Sequence, residues 1–230
     1  MFKRDWIWAG ALLGVFFLAF LFGQYQRAHF LDTGLSRMTT YSELENEEIY
    51  IASPLGMVGE DLGYNSYSKH QDELVSDLML SSVVAIVEPT GVLEIGKESF
   101  GQEFTVKTGI RGDLSEGDVG KIYTHLGFST GDRDQILYHG FFNVMKPGEQ
   151  YLIFMEPTKW NSLSGKKEFN TERIYGYFNV KKDASGQARS QYTRWKDAQD
   201  EEFFVTSQRL LDEIYGFKNR MLSEFEESIP

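Results

Sequence analysis

The chain has 230 residues, of which 41% are hydrophobic and 15% aromatic, and its formal net charge is −11. This composition excludes a disordered tail and allows one domain with a full hydrophobic core. The chain contains no cysteine, which excludes disulfides, cysteine metal sites, lipoprotein attachment and thiol enzymes such as sortases.

An apolar segment near the N-terminus predicts a membrane anchor. The segment from Trp6 to Gly23, residues 6–23, holds eighteen residues without a charge, ten of them Leu, Ile, Val or Phe. As a helix it would be roughly 27 Å long, enough to cross the lipid bilayer. A cleaved signal peptide is the alternative, but this run is longer than such segments and lacks a small-x-small cleavage site. Gly10 and Gly14 have the small-xxx-small spacing that lets two membrane helices pack closely.

Charge predicts the orientation of this anchor. Lys3 and Arg4 precede the segment and only Arg27 follows it closely, which favours a cytoplasmic N-terminus and an extracytoplasmic C-terminal domain. Residues 1–30 carry a net charge of +2, which leaves −13 on residues 31–230. Such an acidic domain is repelled by nucleic acid, so we expect no nucleic-acid partner. An extracytoplasmic domain without disulfides is typical of a Gram-positive bacterium.

The remaining chain divides into three predicted parts. Residues 31–70 are predicted to be a linker or irregular segment, in which residues 49–51 form a short edge strand or a helix end. Residues 71–200 alternate between apolar runs and turns, which predicts a small β-barrel or sandwich. The predicted strands of that domain are residues 82–87, 104–110, 119–126, 136–139, 150–155 and 173–180.

The C-terminal part, residues 201–230, changes its period. One apolar stripe runs from residue 207 to 226 and comprises Leu210, Ile214, Phe217, Met221 and Phe225. This spacing predicts an amphipathic helix that packs on the barrel. The opposite, polar face is predicted to carry Arg209, Asp212, Lys218, Arg220 and Glu224. A helix that binds a partner or the membrane surface is the alternative.

Three runs in this order carry a resemblance: FTVKTGIRGDLSEGDVGKIYTHLG, MKPGEQYLIFMEP and RIYGYFNV. They resemble the netrin-like module, the OB-type barrel shared with tissue inhibitors of metalloproteinases, and small exported barrels of Gram-positive bacteria. The resemblance covers about residues 71–182 and implies a small OB-like barrel with a C-terminal helix packed on it. Those inhibitors use an N-terminal cysteine, which this chain lacks, so the resemblance implies the barrel and not protease inhibition.

Candidate site residues fall into two groups. Aromatic side chains near the predicted strands would supply contact area for a ligand, although each is also a candidate core residue. They are Tyr123, Tyr138, Phe141 and Phe142. Two histidines and a carboxylate are a candidate metal site or hydrolytic centre, without the spacing of a known zinc motif. They are His125, His139 and Asp132. No cofactor is expected.

These features predict a mainly β protein with helices. An N-terminal single transmembrane helix is followed by an OB-like small β-barrel and a C-terminal amphipathic helix. The expected function is a membrane-anchored extracytoplasmic binding or accessory module, a non-catalytic subunit of a membrane transport or envelope complex with a membrane-protein partner. Two other classes stay open: a membrane-anchored envelope hydrolase with a His/Asp centre, and a purely structural membrane spacer.

Overall fold

The structure is a computed structural model, and it describes nine ranges of the chain. These are residues 35, 38–52, 71–96, 100–124, 127–130, 135–158, 167–171, 176–181 and 186–229. All of them belong to one compact unit. Within these ranges, no helix is both long enough and apolar enough to cross a membrane. The predicted span at residues 6–23, with Gly10 and Gly14, lies outside them.

The described residues form three helices and ten strands. The helices are α1 (Tyr41–Asn46), α2 (71–79) and α3 (Gln208–Glu224). The strands are β1 (Ile49–Ile51), β2 (Val83–Ile95), β3 (Phe100–Arg111), β4 (Val119–Thr124), β5 (Gly127–Thr130), β6 (Ile136–His139), β7 (Tyr151–Pro157), β8 (Lys167–Thr171), β9 (Tyr177–Asn179) and β10 (Thr193–Arg194). Short 3₁₀ turns follow at Trp195–Asp197 and Glu226–Ser228.

Five strands close into a barrel, as the mainly β prediction requires. Their order is β2-β3-β4-β8-β7, and β7 pairs back onto β2. The β4–β8 pair is parallel, and the other four pairs are antiparallel. Large apolar side chains such as Phe104, Ile122 and Phe154 are fully buried in the barrel's core cluster. Closure removes the open sheet edges at which strands of other chains would otherwise pair.

The barrel strands differ from the predicted ones at two places. β2 was expected to stop before Pro89 but continues to Ile95. Its pairing with β7 ends at Val87, and its pairing with β3 continues to Ile95. Proline is tolerated where a strand has one free side or a bulge, and the register shifts between Pro89 and Leu93. β8 is not among the predicted strands, because only Phe169 and Thr171 of its five residues are buried and the apolar signal is weak.

A tight turn at Pro147 and Gly148 precedes β7. Gly148 has φ +80°, and the amide of Glu149 donates to the carbonyl of Lys146 at 3.2 Å. These are the features of a type II turn, in which glycine occupies the third position because φ is positive there. The turn leads directly into β7.

A second, four-stranded sheet has the order β10-β1-β6-β5 and its own core. The linker prediction for residues 31–70 is wrong for residues 38–52, which pack into this core. Tyr41 and Leu44 on α1 are buried, and β1 lies between two strands, so it is not an edge strand. Thr40 and Glu43 form a capping box that fixes the start of α1.

Asn143 lies between the two cores and connects them. Its side-chain amide donates to the carbonyls of Gln199 and Glu201 at 2.9 and 2.8 Å, and its Oδ1 accepts from the indole nitrogen of Trp195 at 2.8 Å. Its backbone carbonyl accepts from the hydroxyl of Tyr177 at 2.6 Å. Trp195 belongs to the second core and Tyr177 to the barrel core. Asn143 therefore connects the two cores, with its side chain on one side and its backbone carbonyl on the other.

The C-terminal helix packs on the barrel as expected, and its apolar stripe is buried in the barrel core. One residue was placed wrongly: Lys218, expected on the polar face, has a fully buried side chain. Its Nζ lies 2.5 Å from Oε2 of Glu202, which is only 9% exposed. Burial raises the pKa of Glu202, and the charge of Lys218 opposes that rise. A lysine is compatible with the apolar face here because a buried carboxylate neutralises it.

We expect replacement of Gly109 by alanine to destabilise the protein by about 3 kcal/mol, the upper part of the range for overpacking. A Cβ at this position would lie 2.0 Å from the backbone oxygen of Leu114, which cannot move without displacing the chain. Gly127→Ala is the matched control, because a Cβ there meets no atom within 4 Å. Urea denaturation measures both variants. Equal midpoints would contradict the close approach of Gly109 to Leu114.

Candidate binding face of the barrel

The outer surface of β3 and β4 carries the one exposed aromatic among the predicted binding residues. Along β4, Gly120 and Ile122 are buried, whereas Lys121 and Tyr123 point outward and are partly exposed. This alternation is the ordinary period of a strand with one buried face. Across the antiparallel β3–β4 pair, Tyr123 stands directly opposite Gly101.

The Tyr123 ring packs on the sheet over Gly101, which has no side chain. A Cβ at Gly101 would lie 2.9 Å from Cε1 and 3.1 Å from Cδ1 of Tyr123, closer than real Cβ contacts. The ring therefore occupies the volume that any other residue at position 101 would fill. The aliphatic stem of Lys121 leans over the same glycine, with its Cδ 3.3 Å from the same point. A ring held in this way loses little conformational entropy when a ligand contacts it.

Glu94 on β2 fixes the polar end of this ring. The hydroxyl of Tyr123 donates to Oε2 of Glu94 at 3.2 Å, and Nζ of Lys121 donates to the same oxygen at 2.6 Å. The Lys121 Nζ also lies 5.8 Å from the centroid of the Tyr123 ring, within reach of a cation–π interaction. Three side chains from two strands thus form one connected cluster.

The protonation states of this cluster follow from its geometry. Burial, together with the negative charges of Glu94 and Glu168, raises the pKa of Tyr123 far above its ordinary value. The hydrogen bond from Lys121 lowers the pKa of Glu94. At neutral pH the phenol is therefore a neutral donor, and Glu94 is a carboxylate paired with an ammonium group.

The face continues onto β8. The parallel β4–β8 register pairs Lys121 with Glu168 and Tyr123 with Asn170. Because register partners share a face of the sheet, these side chains border the ring on the side opposite to Gly101. We call the residues Glu94, Gly101, Lys121, Tyr123, Glu168 and Asn170 the Tyr123 face. It combines a positioned aromatic ring with carboxylate, ammonium and amide groups, which is suited to binding a polar ligand and not to covalent catalysis.

The other three predicted binding residues lie in the cores. The hydroxyl of Tyr138 donates to the carbonyl of Phe142 at 2.6 Å, and its ring is fully buried. Phe141 and Phe142 are 4% and 1% exposed and contact each other, with centroids 4.5 Å apart. These three rings are therefore core residues, which was the alternative interpretation of each. Of the four predicted binding residues, Tyr123 is the one whose ring a ligand can reach.

Of the predicted metal or hydrolytic centre, only His139 lies within the described residues. Its Nε2 is 2.6 Å from the hydroxyl oxygen of Ser129, on the neighbouring strand. His125 and Asp132 lie outside the described ranges. In the part of the chain that is described, no three acidic, histidine or cysteine side chains are arranged to hold a metal ion.

Sequence reasoning missed the residues that surround Tyr123. Gly101 and Tyr123 are brought together by the β3–β4 register, and Glu94 and Glu168 come from two further strands. The only local signal is the alternation in Val119–Thr124, which predicts that Lys121 and Tyr123 share a face.

Comparison with known proteins adds no relative. No protein-family model matches the chain, and no curated protein matches it.

Proposed function

We propose that this protein is a membrane-anchored extracytoplasmic binding or accessory module, a non-catalytic subunit of a membrane transport or envelope complex. The apolar segment at residues 6–23 would anchor it, and the barrel would contact a membrane-protein partner. The positive residues before that segment and the acidic domain after it support this orientation.

We further propose that the barrel is of the OB type. In chain order its strands neighbour one another as first, second, third, fifth, fourth and first again, and the third and fifth are parallel. This order supports the OB assignment, as does the resemblance to netrin-like modules. OB barrels bind ligands on the face of their second and third strands. Those strands are β3 and β4 here.

The observation that carries the proposal is the position of Tyr123 on that face. Its ring lies against Gly101, and its hydroxyl is fixed by Glu94. Aromatic residues with few rotatable bonds are typical of binding hot spots, because they bury much area at a low entropic cost. The barrel core lies on the other side of the sheet, so its packing does not need the contacts of Tyr123 with Gly101 and Glu94.

The test is affinity purification of the full chain from native membranes in mild detergent, with crosslinking and mass spectrometry. We expect a stoichiometric envelope or transport protein with the wild type, and at least about tenfold less of it with Tyr123→Ala, the loss of a hot-spot residue. Tyr192→Ala is the matched control, because Tyr192 is 56% exposed and lies outside the Tyr123 face. Recovery of a solitary protein, or equal recovery with both variants, would refute the proposal.

The alternative, a membrane-anchored envelope hydrolase, is favoured by one observation. The 2.6 Å contact between Ser129 and His139 is the distance of a nucleophile from a general base. In such an enzyme His139 would accept the proton of Ser129 as the hydroxyl attacks an acyl group. A fluorophosphonate probe decides it: labelling at Ser129 that is lost in His139→Gln supports a hydrolase, and the absence of labelling at Ser129 excludes this serine as a nucleophile.

A further inference from the structure

Two lysines on the outer side of the barrel form ion pairs with glutamates. Lys107 pairs with Glu88 at 2.8 Å, and Lys121 pairs with Glu94 at 2.6 Å. Glu168 is only partly exposed, and no lysine, arginine or histidine of the described ranges lies within 4.0 Å of its carboxylate. Lys121, its register partner, is already held by Glu94 on the opposite side. Among the residues that the structure describes, Glu168 is therefore a carboxylate of the Tyr123 face without a cation beside it.

The position of Glu168 beside Tyr123 is suited to binding a cation. Glu168 lies on the strand next to Tyr123. After burial and the charge of Glu94, its negative charge also contributes to the raised pKa of the Tyr123 hydroxyl. A carboxylate beside an aromatic ring attracts a cation in two ways, through the ion pair and through the ring quadrupole. Guanidinium gains more than ammonium, because it is planar and stacks on the ring while donating to the carboxylate.

The dimensions of the face fit an extended peptide. The row from Glu94 through Gly101 and Tyr123 to Asn170 crosses four neighbouring strands. At about 4.8 Å between strands, the row is roughly 14 Å long, the length of about four extended residues. The whole segment 31–230 carries a net charge of −13, which attracts a basic ligand over a longer distance.

We infer that the partner presents a basic, arginine-containing peptide segment to the Tyr123 face, with one arginine stacked on Tyr123 and paired with Glu168. This inference rests on the proposed function and names the chemistry of its partner. Glu94 and Lys121 orient the ring and stay paired with each other. An arginine of the partner is the cation that pairs with Glu168.

The first test is a binding titration of the full chain in detergent micelles with a fluorescein-labelled hexapeptide of alternating arginine and serine. Its control ligand is the same peptide with citrulline, the neutral isostere of arginine. We expect Glu168→Gln to weaken binding of the arginine peptide by about three- to fivefold, the effect of a partly exposed ion pair. Glu116→Gln is the matched control, because it removes the same charge from an exposed turn before β4.

Salt gives a second readout. Raising the ionic strength from about 0.05 to about 0.5 M shortens the screening length and should weaken binding of the arginine peptide. The Glu168→Gln variant should respond less to salt than the wild type. Equal affinity for the arginine and citrulline peptides, or equal affinities of Glu168→Gln and Glu116→Gln, would overturn the inference.

The native partner separates this inference from the proposed function. Loss of the partner with both Tyr123→Ala and Glu168→Gln supports the two together. Loss with Tyr123→Ala alone would leave the binding module in place and refute the basic peptide. A partner that a neutral oligosaccharide releases, and the arginine peptide does not, would also refute it. Retention of the partner by both variants would refute the proposed function itself.

Discussion

Replacing Lys218 by methionine is expected to destabilise the folded protein by about 3 to 5 kcal/mol, although methionine fills nearly the same space. The substitution leaves the carboxylate of Glu202 buried without its cation. The remaining donor to that carboxylate is the backbone amide of Asn179, at 2.7 Å from Oε1. Urea denaturation of the detergent-solubilised chain, followed by near-UV circular dichroism, measures the loss.

The loss should depend on pH in a definite direction. Without Lys218 the pKa of Glu202 in the folded state rises further, because the charge that opposed its burial is gone. Below the ordinary value of 4.5 the carboxyl is protonated in both the folded and the unfolded state, so ionisation costs nothing. As the pH rises through the folded-state pKa, stability is lost. The deficit of Lys218→Met relative to the wild type should therefore be smaller near pH 4 than at pH 7.

The double variant Lys218→Met/Glu202→Gln is the control for this effect. Glutamine keeps an oxygen that can accept from the amide of Asn179 but carries no charge. Replacing both members of a buried pair is often neutral, so we expect the double variant to recover most of the lost stability. A double variant as unstable as Lys218→Met would contradict the electrostatic explanation and point to packing instead.

Replacing Asn143 by alanine is expected to cost about 3 to 5 kcal/mol. The change removes the partner of the buried indole nitrogen of Trp195 and of the partly buried carbonyls of Gln199 and Glu201. Each buried unsatisfied group costs about 1 to 3 kcal/mol. The backbone carbonyl at position 143 still accepts from the hydroxyl of Tyr177, so the loss falls on the bonds to the second core. Urea denaturation followed by near-UV circular dichroism measures it.

Trp195→Phe tests which part of the Asn143 network matters. It removes the indole donor and keeps an aromatic ring in the second core, while Oδ1 of Asn143 still accepts from the amide of Val144 at 2.8 Å. We expect a loss of about 1 kcal/mol from the missing hydrogen bond. An effect of Asn143→Ala no larger than that of Trp195→Phe would mean that the two carbonyls find other donors.

The elements that could be predicted from sequence are those whose signal is local. The core strand β7 and the stripe of α3 are apolar runs with a clear period, and the turn at Gly148 has its proline and glycine side by side. The strand β8 has too few buried residues to produce such a signal. The prediction put Lys218 on the polar face because lysine is charged. Its spacing, four residues after Ile214, indicates the buried side.

The parts that could not be predicted depend on pairings between distant segments. The second sheet joins β1 to β10, which pairs Tyr50 with Arg194. The Tyr123 face likewise takes residues from four strands, and only its β4 members share a local pattern. Sequence alone indicates which residues of a strand share a face. The register, which decides which side chains meet, is fixed by the closed barrel.

The segment that begins α1 contacts β2 next to the Tyr123 face. The carbonyl of Thr39 accepts from the amide of Leu93 at 2.8 Å, and Thr40 forms an isolated bridge with Val92. If residues 6–23 anchor the chain, tension between the membrane and a bound partner enters the domain at these contacts. The next residue on β2 is Glu94, which orients Tyr123. Tension on the tether would thus reach the Tyr123 ring through a short run of backbone.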